Sequence, residues 1–134
     1  MRLIRVRVAV FAFSACVFSG CDSGVVGAST AFGDYELRTV NGSSLPYKVS
    51  ATTEIVDDVI SLAEAFTYTE RGHTRVTANG QVTNQEIFEN GSYVLVGNSV
   101  TFTSSDGKHV RIALNENSEK MTFVESGITM VFRK

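Results

Sequence analysis

The chain has 134 residues, 43% of them apolar, with twelve basic against fourteen acidic side chains, two cysteines and one proline. That is the length of a single domain, and a formal charge of −2 gives no electrostatic footprint for nucleic acid. Two cysteines build no disulfide framework, and no run reaches the roughly 18 apolar residues that a membrane-spanning helix needs.

The chain opens with Arg2, Arg5 and Arg7, and residues 8–18 are apolar apart from Ser14. A positive start, a short apolar stretch and the small residues Ser19 and Gly20 make a secretory signal. Phe18-Ser19-Gly20-Cys21 resembles the lipobox of bacterial lipoproteins. The resemblance implies cleavage before Cys21 and a thioether from its thiol to diacylglycerol. Residues 1–20 are then a removed signal, 21–31 a lipidated cysteine and small-residue tether, and 32–134 the folded domain. Cys16 leaves with the signal and the Cys21 thiol is consumed, so the domain has neither disulfide nor thiol nucleophile. Its charge becomes −5, with nine basic and fourteen acidic residues. At about 0.8 kcal/mol per buried methylene, two or more palmitate-like chains hold a protein firmly on a membrane. The expected location is the cell envelope, extracytoplasmic and lipid-anchored. Asp22 resembles the inner-membrane retention signal of some enteric bacteria, and the choice between inner and outer membrane stays open.

From residue 33 onward Val, Thr, Tyr and Phe recur, cut by Gly and Asn at short intervals. This is the pattern of an antiparallel all-β domain. Tyr35, Leu37 and Thr39 alternate with Glu36 and Arg38, Asn41-Gly42 turns, and Pro46 falls at an edge or a strand start. Residues 54–56 and 59–63 flank a solvated turn at Asp57-Asp58. Glu64-Ala65 leads into a strand over 66–77, and Asn79-Gly80 and Asn90-Gly91 bound another over 81–89.

Turn chemistry and face alternation check each other in the C-terminal half. A two-residue turn at Gly97-Asn98 sets Leu95 opposite Val100 and Tyr93 opposite Phe102. At Asp106-Gly107 a two-residue turn would set Phe102 against Arg111. A three-residue loop, Ser105-Asp106-Gly107, instead pairs Phe102 with Val110 and Val100 with Ile112. A four-residue loop over 115–118 then places Ile112 opposite Met121 and Val110 opposite Phe123. Ser126-Gly127 pairs Phe123 with Met130 and Met121 with Phe132. The expected inward stripe runs from Tyr93 and Leu95 through Val110 and Ile112 to Met130 and Phe132. The fold predicted is an up-and-down meander of eight to ten short strands, which escapes exposed edges by closing into a barrel.

Gly33-Asp34-Tyr35-Glu36-Leu37, followed by Val40-Asn41-Gly42 and Leu45-Pro46, resembles the first strand of small bacterial lipocalin-like lipoproteins. Gly91-Ser92-Tyr93-Val94-Leu95-Val96-Gly97-Asn98 with Val100-Thr101-Phe102, and the ending Met130-Val131-Phe132-Arg133, are similar to the same family. The likeness spans most of residues 33–134 and implies a lipocalin-like barrel, with Tyr35 standing where that family usually carries tryptophan.

Nothing supports catalysis. There is no nucleophile elbow, and only His73 and His109 are available as bases. His109 falls on the outward parity of its strand. Two histidines on separate hairpins have no metal-ligand spacing, and Asp57-Asp58 would point to opposite faces of a strand. No cofactor is implied. The polar group of interest lies in the Asn79-Gly80 hairpin, whose two-residue turn sets His73 opposite Glu86, Arg75 opposite Asn84 and Arg71 opposite Phe88. If Asn90-Gly91 also turns, Phe88 meets Tyr93 and the row faces inward at one mouth of the barrel. Arg71 or Arg75 would then meet the carboxylate of a fatty or aromatic acid, above Phe102 and Phe123. The competing reading is a two-sided polar hairpin in solvent. The inward Phe and Met side chains either line a cavity or fill a small barrel.

Two functions follow. The first is a non-catalytic binding module for a small apolar or amphipathic ligand. The second is a structural or protein-interaction lipoprotein with a filled core and an envelope protein as partner.

Overall fold

Three two-residue hairpin turns carry both residues at positive φ: Asn41-Gly42 (52° and 78°), Asn79-Gly80 (52° and 75°) and Ser126-Gly127 (50° and 79°). These are type I′ turns, whose twist matches that of the strands they join. At Gly97-Asn98 only the glycine is positive, at 58°, as a type II′ turn requires. The computed structural model describes residues 31–134; the expected signal, Cys21 and the expected tether up to residue 30 lie outside them.

Ten strands and no helix follow in the described residues: β1 (Gly33–Val40), β2 (Ser43–Ser44), β3 (Tyr47–Lys48), β4 (Thr53–Leu62), β5 (Thr67–Ala78), β6 (Gln81–Val96), β7 (Ser99–Ser104), β8 (Val110–Glu116), β9 (Lys120–Glu125) and β10 (Ile128–Arg133). From β4 to β10 each strand pairs antiparallel with its successor. β1 lies between β10 and β4 and closes the sheet through pairs such as Leu37↔Phe132 and Tyr35↔Ile60. The result is an eight-stranded antiparallel barrel, with β2 and β3 as short flaps on β1 and β4. Pro46 sits between those flaps, immediately before β3.

The registers expected at Asn79-Gly80, Gly97-Asn98 and Ser126-Gly127 are those observed. Four other expectations are corrected. β4 runs unbroken through Asp57-Asp58, with its irregularity between Ile55 and Asp57. β6 runs through Asn90-Gly91, because Gly91 answers a close approach instead of a turn. A Cβ there would stand 2.0 Å from the Thr103 carbonyl oxygen.

The third and fourth corrections concern β8. Phe102 pairs with Arg111, so Val110 and Ile112 face outward and Arg111, Ala113 and Asn115 face inward. The loop is one residue longer than expected. Ser104 and His109 close it by a backbone bond of 2.9 Å, the Ser104 hydroxyl donates to Asp106 Oδ1 at 2.6 Å, and the His109 amide donates to Ser104 Oγ at 2.9 Å. The next loop is shorter than expected and pairs Glu116 with Lys120 and Asn115 with Met121. The two deviations cancel, so Met121 and Phe123 are inside as expected while β8 alone is turned over.

Inside, Tyr68, Phe102, Phe123 and Phe132 form a chain of rings with centroids 5.0, 5.5 and 5.5 Å apart. Tyr35, Tyr93, Ile60, Met121, Val40 and Val100 complete a core whose side chains are all less than 2% exposed. The Tyr93 hydroxyl donates to the Ala63 carbonyl at 2.9 Å, and the Tyr35 hydroxyl lies 2.8 Å from the carbonyls of Ala31 and Ser118. Both polar ends therefore reach the loops at the end where β1 begins. Ala31, grouped with the tether on composition, is itself buried.

Candidate functional site

The opposite end of the barrel holds charge. Glu70 on β5 and Glu89 on β6 stand directly opposite each other, an arrangement that repels unless a cation lies between them. Arg111 supplies it, being inward on β8 by the register just described. Its Nη1 donates to Glu70 Oε1 at 3.1 Å, its Nη2 donates to Glu70 Oε2, and Nη2 lies 3.6 Å from Glu89 Oε1. The guanidinium also sits 5.1 Å from the centroid of Phe123, on the top of the aromatic core. Tyr68 donates to Glu89 Oε1 at 2.5 Å, and His109 Nδ1 is 3.0 Å from Glu89 Oε2.

Asp58 completes the group from β4, across from Gly72. A side chain at Gly72 would begin 3.0 Å from Asp58 Oδ1, so the glycine makes room for the carboxyl. Burial, reinforced by the neighbouring Glu70 charge, pushes the Asp58 pKa up to about 8. At neutral pH its carboxyl is therefore held in the protonated form beside Glu70. Burial would also raise Glu89, but hydrogen bonds from Tyr68 and His109 and the Arg111 charge outweigh it and hold that carboxyl below its ordinary range. Arg111 loses some basicity to burial and regains more from Glu70, so its pKa rises. Within this group two buried atoms, Asp58 Oδ1 and Arg111 Nε, have no hydrogen-bond partner among the described residues. Above the cluster is an open recess of about 290 Å³, whose apolar lining comes from Leu37, Ile55, Ile87 and Met130. Chemically, the group is a set of carboxyls organised around an internal cation, closing the barrel over its filled core.

The residues singled out from the sequence are placed elsewhere. Arg71, His73, Arg75, Glu86 and Phe88 share one face as the hairpin register requires, but that face is the outer one, because β6 does not turn at Asn90-Gly91. Arg71 lies 5.0 Å from the Phe88 ring centroid and 3.9 Å from Glu86. His73 is 2.7 Å from Asp57, and Arg75 is 2.9 Å from Glu54. Tyr93, Phe102 and Phe123 are in the core, so the polar row and the aromatic trio lie on opposite sides of the sheet. His109 is solvated, as expected, but on the inward parity at the rim. Asp58, Glu70, Glu89 and Arg111 were missed. The signal was present: the hairpin register already opposed Glu70 to Glu89, and the rejected turn was the one that brought Arg111 to Phe102.

A second feature lies on the outside of β6–β9. Val94, Val96, Val110, Ile112, Leu114 and Val124 are each 53–69% exposed. The outward residues between them are Ser99, Thr101, Thr103 and Thr122, so the centre of this face carries no charge. Its charged rim, the Glu116–Lys120 pair at 3.0 Å, lies at the end where β1 begins. The β8–β9 ladder stops at Ala113↔Phe123, and beyond it the strands part around a surface recess of about 250 Å³ flanked by Ile112 and Val124.

Compared with known proteins, the chain matches no family model, no curated protein and no solved structure.

Proposed function

We propose that the chain is a lipid-anchored, extracytoplasmic envelope lipoprotein whose lipocalin-like barrel is a non-catalytic scaffold for protein–protein contact. The carrying observation is the uncharged outer face of six exposed aliphatic side chains, since monomeric proteins rarely leave such a patch uncovered. The filled interior supports the same reading, because the level of Phe102 and Phe123 leaves no room for an apolar ligand. The lipobox-like Phe18-Ser19-Gly20-Cys21 supplies the anchor. Photo-cross-linking from residue 112 of the full chain in intact cells is expected to give a discrete protein adduct, while recovery of free monomer alone counts against the scaffold. Mass spectrometry of the exported protein is expected to find diacylglycerol and acyl chains on Cys21; an unmodified Cys21 removes the anchor.

A second reading rests on the unpartnered Asp58 Oδ1 and Arg111 Nε beneath the 290 Å³ recess. A small amphipathic ligand would fit there. The carboxyl-rich lining favours an amine over the fatty or aromatic acid expected from the sequence, since Arg71 and Arg75 face away and Arg111 is already paired. Titration with an alkylamine and a fatty acid separates the cases: saturable binding of the amine alone supports this reading, and binding of neither dismisses it.

A further inference from the structure

The outer face of β6–β9 has relief as well as polarity. On β8 the side chains of Val110, Ile112 and Leu114 stand up as a ridge, more than half exposed. Beside it, β7 presents only Ser99, Thr101 and Thr103, which are shorter and half-buried, so β7 is a furrow. The rows are level across the strands. Val94 pairs with Thr101 and Thr101 with Ile112, and Val124 comes one step beyond the Ala113↔Phe123 pair, beside Ile112. The face therefore reads, from β6 to β9, as aliphatic, furrow, ridge, aliphatic.

That order is complementary to itself under one rotation. A two-fold axis parallel to the strands, passing between β7 and β8, lays the β8 ridge of each copy into the β7 furrow of the other. It also sets Val94 of each copy over Val124 of the other, at the mouth of the recess between β8 and β9. Levels are preserved because the axis runs along the strands. A two-fold axis across the strands would instead press ridge against ridge.

We propose that this face binds a second copy of the same chain, in a dimer whose barrels stand parallel. The inference rests on the reading of the chain as an interaction module and names its partner. The area is modest: at about 100 Å² for each exposed aliphatic side chain, complete burial of all six on both copies gives at most roughly 1,200 Å², the lower edge of specific interfaces. The six contact side chains carry no charge, and Arg111 and Glu125 lie only in the lining of the recess between β8 and β9. The orientation fits the proposed anchor too, since in parallel barrels β1 of both copies begins at the same end, as attachment to one membrane requires. The unpaired edge of β6 below Asn90 offers another contact between copies, but antiparallel pairing there points the two tethers in opposite directions.

The test uses two differently tagged full-length chains in one membrane, one carrying Val94→Cys and the other Val124→Cys, treated with a short thiol cross-linker. Mixed membranes are expected to yield a covalent product with both tags, at least tenfold above membranes holding either variant alone. Adding Ile112→Lys to both chains abolishes that product. Because Ile112 is 61% exposed, the lysine leaves the fold intact, which circular dichroism checks. Absence of the mixed product, or equal products from the single variants, overturns the parallel dimer. If residue 112 then still photo-cross-links to a different protein, the interaction reading stands and only the self-partner falls. No adduct from residue 112 removes both.

Discussion

Arg111 joins carboxylates from two strands over the aromatic core. It is 18% exposed and neutralises Glu70, 6% exposed, together with Glu89. Replacing it with methionine preserves volume but leaves a buried carboxylate without its counterion, which costs about 3–5 kcal/mol. Arg111→Met is therefore expected to lower the urea midpoint sharply, and Arg111→Lys to recover only part, because an ammonium cannot fork to both carboxylates. Removing both charges, as in Glu70→Gln with Arg111→Met, is expected to restore much of the loss; a double variant as unstable as Arg111→Met alone contradicts this account. Asp58 predicts a pH dependence. Its folded pKa of about 8 lies above the ordinary 3.8, so between those values the folded protein holds a proton that the unfolded chain has released. Stability therefore falls as pH rises from about 4 to about 8, by an amount on the order of 5 kcal/mol. Glu89 acts in the opposite sense, contributing above its ordinary range and losing that contribution in acid. Thermal melts across pH 5–9 are expected to show the decline in the wild type and a flatter profile in Asp58→Asn. Parallel profiles for the two proteins would exclude Asp58 as its source.

At the scale of the strand, parity of one element decides what the barrel contains. Val110 and Ile112 are each 61% exposed, so Val110→Ala and Ile112→Ala are expected to change stability by no more than about 0.5 kcal/mol. The register read from sequence would bury both, and truncation would then cost about 1–4 kcal/mol apiece. Denaturant titration of these two variants separates the registers directly. The reason sequence reasoning erred here is physical. Turns made by backbone conformation alone, such as Asn41-Gly42, Asn79-Gly80 and Ser126-Gly127, announce themselves in two residues. The loop before β8 has its length set by the Ser104 and Asp106 side chains bonding to each other and to the His109 and Lys108 amides. No local pattern fixes that. Asn90-Gly91 misled in the other direction, since its glycine serves the approach of β7, a neighbour found only once the sheet is assembled. The polar group stayed hidden for a related cause. A buried arginine looks unfavourable until the two carboxylates it joins, on strands 22 and 41 residues away in sequence, are folded around it.

For the whole molecule, the barrel separates two roles between its ends and its flank. One end, where β1 begins, is sealed by the Tyr35 and Tyr93 hydroxyls. The other is closed by the Arg111 group, and the interior between them is filled. What is left for contact is the flank, and an interface of at most about 1,200 Å² in total predicts weak association in free solution. Anchoring changes that balance. In the proposed anchored state, copies held by lipid at Cys21 on one surface meet at a far higher effective concentration, and they meet already oriented, because both domains begin at the same end of the barrel. The Cys21→Ser variant is therefore expected to leave the membrane, and its Val94–Val124 product between copies to fall at least tenfold at the same total protein. Raising the released protein to hundreds of micromolar restores the product if the face itself is intact. Undiminished cross-linking of the dilute, released chain would mean that the contact is strong on its own and owes nothing to the anchor. Failure to recover at high concentration would mean that the membrane, and not the ridge and furrow, was holding the copies together.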